Sequence, residues 1–252
     1  MKTKQNWVVW LMHNYRLTFL LVAAIFLLGI LGLEKMPKAE FPEFTIRQGV
    51  VVAVYPGATD AGRDRSDYHH LGEGYPLYAA RFIKEENPDI DFEFINLGIS
   101  GNQTIDLVNR LQSDFIDIQP DIVSIHIGVN DTWHRASNRA WLGNDVFEAN
   151  YRKVLSEIKE KTNAKILMIE QFLLPVEDKA YFRVDLNGKI DVERKLAREF
   201  ADYYIPLDGL FAQACVEKDS SYWSGDGVHP NANGSEFIGR IYADALKKII
   251  EK

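Results

Sequence analysis

The sequence has little cysteine: among its 252 residues, Cys215 is the single one. One thiol excludes an internal disulfide framework and a cysteine-rich zinc cluster. The sequence also lacks an excess of basic residues: 36 Asp and Glu outnumber 29 Lys and Arg and give a net charge of -7. We therefore expect no nucleic-acid partner, since such binding needs basic groups that replace phosphate counterions. What is present is the composition of an ordinary globular protein, with 46% hydrophobic residues.

Charge is divided unevenly along the chain. Residues 1–48 hold six Lys and Arg against three Asp and Glu, and residues 49–252 hold 23 against 33. The two net charges are therefore +3 and -10. We predict an N-terminal membrane segment with its linker over residues 1–48 and a folded domain over residues 49–252.

One long apolar run lies near the N-terminus. From Leu17 to Leu33 it reads LTFLLVAAIFLLGILGL and carries no charge. At about 1.5 Å per residue it spans roughly 25 Å, slightly less than a hydrocarbon layer of ~30 Å. We predict a transmembrane helix that anchors the protein through residues 17–33, with a cleaved signal peptide as the alternative. Lys2, Lys4 and Arg16 favour an N-terminus on the inner side.

The residues that follow the apolar run carry a recognisable pattern. Phe41-Pro42, the apolar run Val50–Val54 and the sequence Tyr55-Pro56-Gly57-Ala58 follow one another. Over residues 1–59 the chain resembles the start of resistance–nodulation–division efflux transporters, in which a transmembrane helix leads into an extracytoplasmic strand. The resemblance implies a folded domain outside the cytoplasm. No second apolar run is long enough to cross a bilayer, so the chain is not an efflux pump by itself.

Short apolar runs alternate with segments of helical period in the rest of the chain. The apolar runs are Val50–Val54, Phe92–Leu97, Ile122–Ile127 and Lys165–Ile169. The helical segments are Tyr75–Glu86, Thr104–Ser113, Asp145–Thr162, Val192–Asp202 and Asn233–Glu251. Strands that are apolar throughout are typical of a parallel sheet covered by helices on both faces. The sequence therefore predicts an α/β three-layer sandwich, whose site lies beyond the carboxyl ends of the strands.

Two polar motifs follow predicted strands. The first, NLGISGNQT from Asn96 to Thr104, has glycines that let backbone N–H groups approach a ligand, and Thr104 is placed to cap the next helix. The second is Gly128–Asp131, in which the amide of Asn130 is suited to donate to a developing oxyanion. Taken alone, each motif also fits a purely structural turn.

A third polar motif, DGVHPN, precedes the last predicted helix. Asp226 lies three residues before His229. A carboxylate at this spacing can fix the imidazole tautomer and leave the other ring nitrogen available as a base. The alternative is a turn that carries a solvated histidine.

The order and placement of these three motifs resemble those of the SGNH, or GDSL-type, hydrolases over residues 60–252. The resemblance implies a flavodoxin-like three-layer α/β/α sandwich with a parallel sheet. It also implies cleavage of carboxylic esters, such as small acyl esters or acetylated carbohydrates, with no metal and no cofactor. By the same resemblance His229 is the general base, Asp226 is its orienting acid, and Gly101 and Asn130 are oxyanion-hole donors.

The nucleophile of that family is missing. Its first block reads Gly-Asp-Ser-x-Thr, and alignment on Thr59–Arg63 puts Gly57 at the serine position. Ser66, Ser100 and Ser224 are the nearest alternatives along the motifs, but neither Ser100 nor Ser224 occupies the strand-to-helix turn that presents a nucleophile. We therefore expect the chain to be nearly inactive on esters.

The transporter-like and hydrolase-like resemblances meet at about Thr59. This predicts a mosaic chain in which a transporter-like front replaces the first strand and nucleophile of a hydrolase. The join is either genomic or an artefact of sequence assembly, and in the second case the domain would be cytoplasmic. Two functions stay open: an ester hydrolase by descent, and a membrane-anchored pseudoenzyme that binds acyl or glycan groups without chemistry.

Overall fold

The computed structural model describes Trp10 and residues 12–35, 48–54 and 66–251, which fall in two compact units, residues 1–45 and 46–252. In the first unit, helix α1 spans Tyr15–Lys35. Its large apolar side chains from Leu17 to Leu28 are exposed. No helix in the described part of the chain combines the length and the apolarity that crossing a membrane requires. The predicted transmembrane helix is therefore not supported.

The second unit is built on a parallel sheet. Within the described residues the sheet has five strands, in the order β2-β1-β3-β4-β5. Their bounds are β1 Gln48–Val54, β2 Asp91–Asn96, β3 Ile122–Ile125, β4 Lys165–Ile169 and β5 Tyr203–Ile205. This is the strand order of flavodoxin-like folds. The prediction of an α/β fold with a parallel sheet is confirmed, and the apolar run Val50–Val54 does supply the first strand.

Helices connect these strands and cover the sheet. Their bounds are α2 Tyr75–Glu86, α3 Thr104–Asn109, α4 Val129–Trp133, α5 Asn144–Lys161, α6 Arg183–Phe200, α7 Leu207–Glu217, α8 Ser220–Trp223 and α9 Ala232–Ile250. A π-helical turn, Gln112–Ile116, follows α3, and a 3₁₀ helix, Glu177–Phe182, precedes α6. Helix α6 begins at Arg183 rather than at the predicted Val192.

Alternate residues of β4 face two different apolar clusters. In β4, Leu167 and Ile169 are buried among side chains of α2, α7 and α9. Ile166 and Met168 point the other way, into a cluster with side chains of α3, α5 and α6. Because successive side chains of a strand point to opposite faces, the sheet is covered on both sides. The three-layer arrangement leaves the carboxyl ends of the strands as the open edge where a site can form.

Candidate active site

The three motifs lie on loops near the carboxyl ends of the strands. The first loop begins where β2 ends at Asn96, and the second leads from β3 into α4. The third loop precedes α9, and it is joined to the segment after β4 because the backbone N–H of Leu174 donates to the carbonyl of Gly227 at 2.9 Å. The parallel topology thus brings together residues that are far apart in sequence.

Hydrogen bonds hold the first and second loops together. The Asn130 amide nitrogen donates to the Asn102 carbonyl at 3.1 Å. The Asp131 carboxylate accepts from the Thr104 hydroxyl at 2.7 Å and from the Thr104 backbone N–H at 3.0 Å. Burial raises the pKa of Asp131, while these bonds and the charges of Lys189 and Arg135 act against the rise. The two loops are therefore joined to each other by these hydrogen bonds.

Thr104 has a different role from the one predicted. Gln103 rather than Thr104 takes the N-cap position of α3, and its backbone N–H donates to the Asp106 side chain at 2.8 Å. Thr104 is the first helical residue, and its hydroxyl is turned toward Asp131. The expectation that Thr104 caps the helix is wrong because the buried Asp131 carboxylate is its partner.

Two glycines set the backbone around the candidate oxyanion donors. Gly101 has φ +82° and Gly128 has φ +134°, both in the region that favours glycine. A Cβ on Gly128 would lie 2.5 Å from the side-chain oxygen Oε1 of the buried Gln171. Only glycine therefore fits the bend that starts α4, the one-turn helix that carries Asn130.

Asp226 and His229 form the predicted pair. His229 Nδ1 lies 2.8 Å from Asp226 Oδ2, and Asp226 Oδ1 accepts from the backbone N–H groups of Val228 at 3.0 Å and His229 at 2.8 Å. Burial opposes ionisation of Asp226, but these hydrogen bonds outweigh burial and hold its pKa well below the ordinary value. An ionised Asp226 accepts a hydrogen bond from Nδ1–H and leaves Nε2 of His229 to act as a base.

The buried hydroxyl of Ser224 forms hydrogen bonds within the loop that carries Asp226 and His229. Its hydroxyl lies 2.7 Å from the His229 carbonyl oxygen and accepts from the Gly227 N–H at 2.9 Å. The side chain is buried, which argues against the alternative that Ser224 replaces the nucleophile. Ser100, the alternative in the first motif, is exposed in its loop.

An aromatic contact brings the second and third motifs together. The Trp133 ring, at the end of α4, has its centroid 5.4 Å from that of His229. Trp133 comes three residues after Asn130 in the chain, so the helix that carries the candidate oxyanion donor also touches the candidate base. Trp133 could not be predicted from the sequence, because a lone tryptophan gives no periodic signal.

A buried ion pair between Asp185 and Lys189 is hydrogen-bonded to α4. The Lys189 ammonium donates to both carboxylate oxygens of Asp185 at 2.6 Å and to the Leu142 carbonyl at 3.1 Å. Asp185 also accepts from the Thr132 hydroxyl at 2.6 Å. Neither residue was predicted, although Asp185 and Lys189 lie four residues apart, as an ion pair on a helix does.

Gly57, the predicted nucleophile position, lies outside the described residues. The structure does describe β1, which ends at Val54 and pairs there with Ile125 of β3. Position 57 thus follows, by three residues, a strand whose two neighbours lead into the candidate oxyanion loops. In the described part of the chain, no group of three His, Cys, Asp or Glu side chains is arranged to hold a metal ion.

The chain is similar to known esterases. Residues 56–237 match the model of the GDSL-like lipase/acylhydrolase family. An acetylxylan esterase of Geobacillus stearothermophilus is 29% identical over 195 residues, which cover 73% of this chain and 87% of that protein. A crystal structure from Parabacteroides merdae described as a GDSL-like lipase is 30% identical with a TM-score of 0.73, covering 82% of this chain and 99% of that one. The crystal structure of an acetylxylan esterase from G. stearothermophilus is 25% identical with a TM-score of 0.68, covering 80% and 93%.

Proposed function

The chain belongs to the GDSL-like lipase/acylhydrolase family, and from this premise we propose that it is an ester hydrolase by descent whose substrates are acetylated carbohydrates. The observation that supports the reaction type is the His229–Asp226 pair at 2.8 Å, beside the helix that carries Asn130. The similarity to an acetylxylan esterase supports the substrate class. The resemblance of residues 1–59 to efflux transporters and a position outside the cytoplasm stay predictions.

The proposed chemistry assigns each group one task. His229 Nε2 takes a proton from the attacking oxygen, and Asp226 fixes the ring and stabilises the imidazolium. Attack forms a C–O bond at the ester carbonyl carbon, and Gly101 and Asn130 donate to the oxyanion. When the intermediate collapses, the bond to the leaving alcohol breaks and His229 returns its proton to that alcohol.

The residue at position 57 limits this chemistry. Glycine has no hydroxyl, so the attacking oxygen in the chain as it stands is that of water rather than of a serine. In a serine protease, loss of the nucleophile lowers turnover about 10⁶-fold, while oxyanion and binding groups keep roughly 10³ to 10⁴ over water. We therefore propose slow turnover with retained binding. Gly57 also favours the second candidate, a binding module for acetylated glycans that performs no chemistry.

Two measurements on the wild-type chain with an acetylated xylo-oligosaccharide test the proposal. Calorimetry measures binding, and acetate release measures turnover, with His229→Ala as the matched variant. We expect binding together with slow acetate release, and a lower rate for His229→Ala because the proposed base for the attacking water is then absent. Binding with no release above the rate in buffer supports the binding module instead. Absence of both binding and release contradicts the proposed substrate class.

A further inference from the structure

Trp133 is a half-buried aromatic residue beside the candidate base. Its ring centroid lies 5.4 Å from that of His229, with the two planes at 52°. Among the described residues, Trp133 is the aromatic side chain that contacts the His229 ring. None of the three motifs explains it, and the proposed chemistry assigns it no task.

The indole is held in place on its inner side. Phe182 meets it edge to face, with centroids 5.6 Å apart and planes at 73°. Both rings belong to an apolar cluster that includes Leu186 and Val228. Because edge-to-face contacts fix ring orientation, the part of the indole left exposed has a defined position relative to His229.

The contact with His229 places Trp133 where the alcohol half of a bound ester would lie. The base that starts the reaction later gives its proton to the leaving alcohol, so the alcohol half must lie next to His229. An acetyl group is too small to need a large flat surface, whereas a sugar ring presents a face of C–H bonds. Such a face packs against an aromatic ring, whose surface is apolar and carries partial negative charge.

We propose that Trp133 is the platform on which the sugar ring of an acetylated carbohydrate packs, and hence the residue that selects the alcohol half of the substrate. The inference rests on the proposed function and adds a residue that recognises the sugar. Lys179 lies against the same ring: its ammonium is 5.3 Å from the Trp133 ring centroid and donates to the Asp178 carboxylate at 3.0 Å. An ammonium at that place is a donor for sugar hydroxyl oxygens.

Trp133→Leu and Trp133→Phe test the platform, with Trp141→Leu as the matched control. Trp141 is also half-buried against the same apolar cluster, but it contacts Tyr181 rather than His229. Leucine keeps an apolar side chain in the cluster and removes the flat ring. Calorimetry with an acetylated methyl xyloside should show about tenfold weaker binding for Trp133→Leu, little change for Trp141→Leu and partial rescue by Trp133→Phe.

A sugar-free ester separates recognition from simple support of His229. In the Gly57→Ser background, Trp133→Leu should raise KM for the acetylated xyloside and leave kcat/KM and the pH profile for ethyl acetate nearly unchanged. An equal fall in kcat/KM for the two esters would mean that Trp133 only holds His229 in position, and it would overturn the proposal.

If Trp133→Leu does not fold, the indole ¹⁵N–¹H signals of the wild-type chain provide a second test. The Trp133 signal should shift on titration with the xyloside and the Trp141 signal should not; an unmoved Trp133 signal overturns the proposal.

The outcomes distinguish this proposal from the proposed function. Xyloside binding that depends on Trp133, without turnover by any variant, supports the platform and contradicts the hydrolase. Hydrolysis of ethyl acetate by Gly57→Ser, without any binding of the acetylated xyloside, supports the hydrolase and contradicts the platform.

Discussion

Asp131 accepts two hydrogen bonds from Thr104, one from the side-chain hydroxyl at 2.7 Å and one from the backbone N–H at 3.0 Å. The two residues are 27 positions apart and end up together because β2 and β3 finish at the same edge of the sheet. Thr104 comes three residues after Gly101, and Asp131 is the neighbour of Asn130. The buried carboxylate therefore sets the spacing between the two candidate oxyanion donors.

Replacing Asp131 by Asn tests this relationship. An amide offers one acceptor oxygen, so one of the two Thr104 donors loses its buried partner. We expect the free energy of unfolding to fall by about 1–3 kcal/mol. Urea unfolding measures the change, with Asp91→Asn, at an exposed position of β2, as the control. Equal stability of Asp131→Asn and wild-type would show that the carboxylate does not hold the loops together.

Asp226→Asn, made in the Gly57→Ser background, tests the role of the orienting acid. Asparagine keeps the shape of the side chain but lets the wrong imidazole tautomer form, so His229 loses its function as a base. A comparable change in a serine protease lowers turnover roughly 10⁴-fold. Acetate release from an acetylated xyloside should fall by a similar factor while KM changes little. A loss of only a few fold would remove Asp226 from the proposed mechanism.

Lys189→Met tests the ion pair beneath α4. Lys189 is fully buried and binds both oxygens of Asp185, so methionine leaves a buried carboxylate without its counter-charge. We expect a loss of about 3–5 kcal/mol in the free energy of unfolding. Lys195→Met, which removes a half-exposed lysine paired with Glu148, should cost at most about 1 kcal/mol. Similar losses for the two variants would contradict this account.

His126 gives the domain a sensitivity to acid. It is a core residue packed near Tyr75 and Phe172, and burial lowers its pKa from 6.5 to about 4. The unfolded chain therefore takes up a proton at higher pH than the folded chain, and stability falls as the pH drops from about 6.5 to about 4. This group contributes about 3 kcal/mol across that window. In denaturant titrations at several pH values, His126→Phe should flatten this part of the profile. An unchanged slope in His126→Phe would assign the acid sensitivity to other groups.

Patterns within single elements were predictable from the sequence. Helix α2 and strand β4 have the bounds that the sequence indicates, since each is a continuous run of one period. Strand β5 was missed because three residues, Tyr203–Ile205, are too short to show a period. The start of α6 was missed because Gly188 is typical of a loop. A Cβ at Gly188 would lie 2.3 Å from the Asn144 side chain, so the glycine serves close packing instead.

The candidate site was predictable where its residues are neighbours in sequence. Asp226 and His229 are three positions apart and could be paired from their spacing alone. The contacts between Thr104 and Asp131, and between Trp133 and His229, depend on which loops the sheet brings together. They become visible only once the strand order is known.

The most direct test of the central claim is the acetate released from an acetylated xyloside by Gly57→Ser, compared with wild-type and with Gly57→Ala. The claim is that the base and the oxyanion donors are retained around a position that lacks its nucleophile. It predicts that serine raises turnover roughly 10³-fold or more, that alanine gives no gain, and that a further His229→Ala change removes the gain. A folded Gly57→Ser chain that releases acetate no faster than wild-type would contradict it.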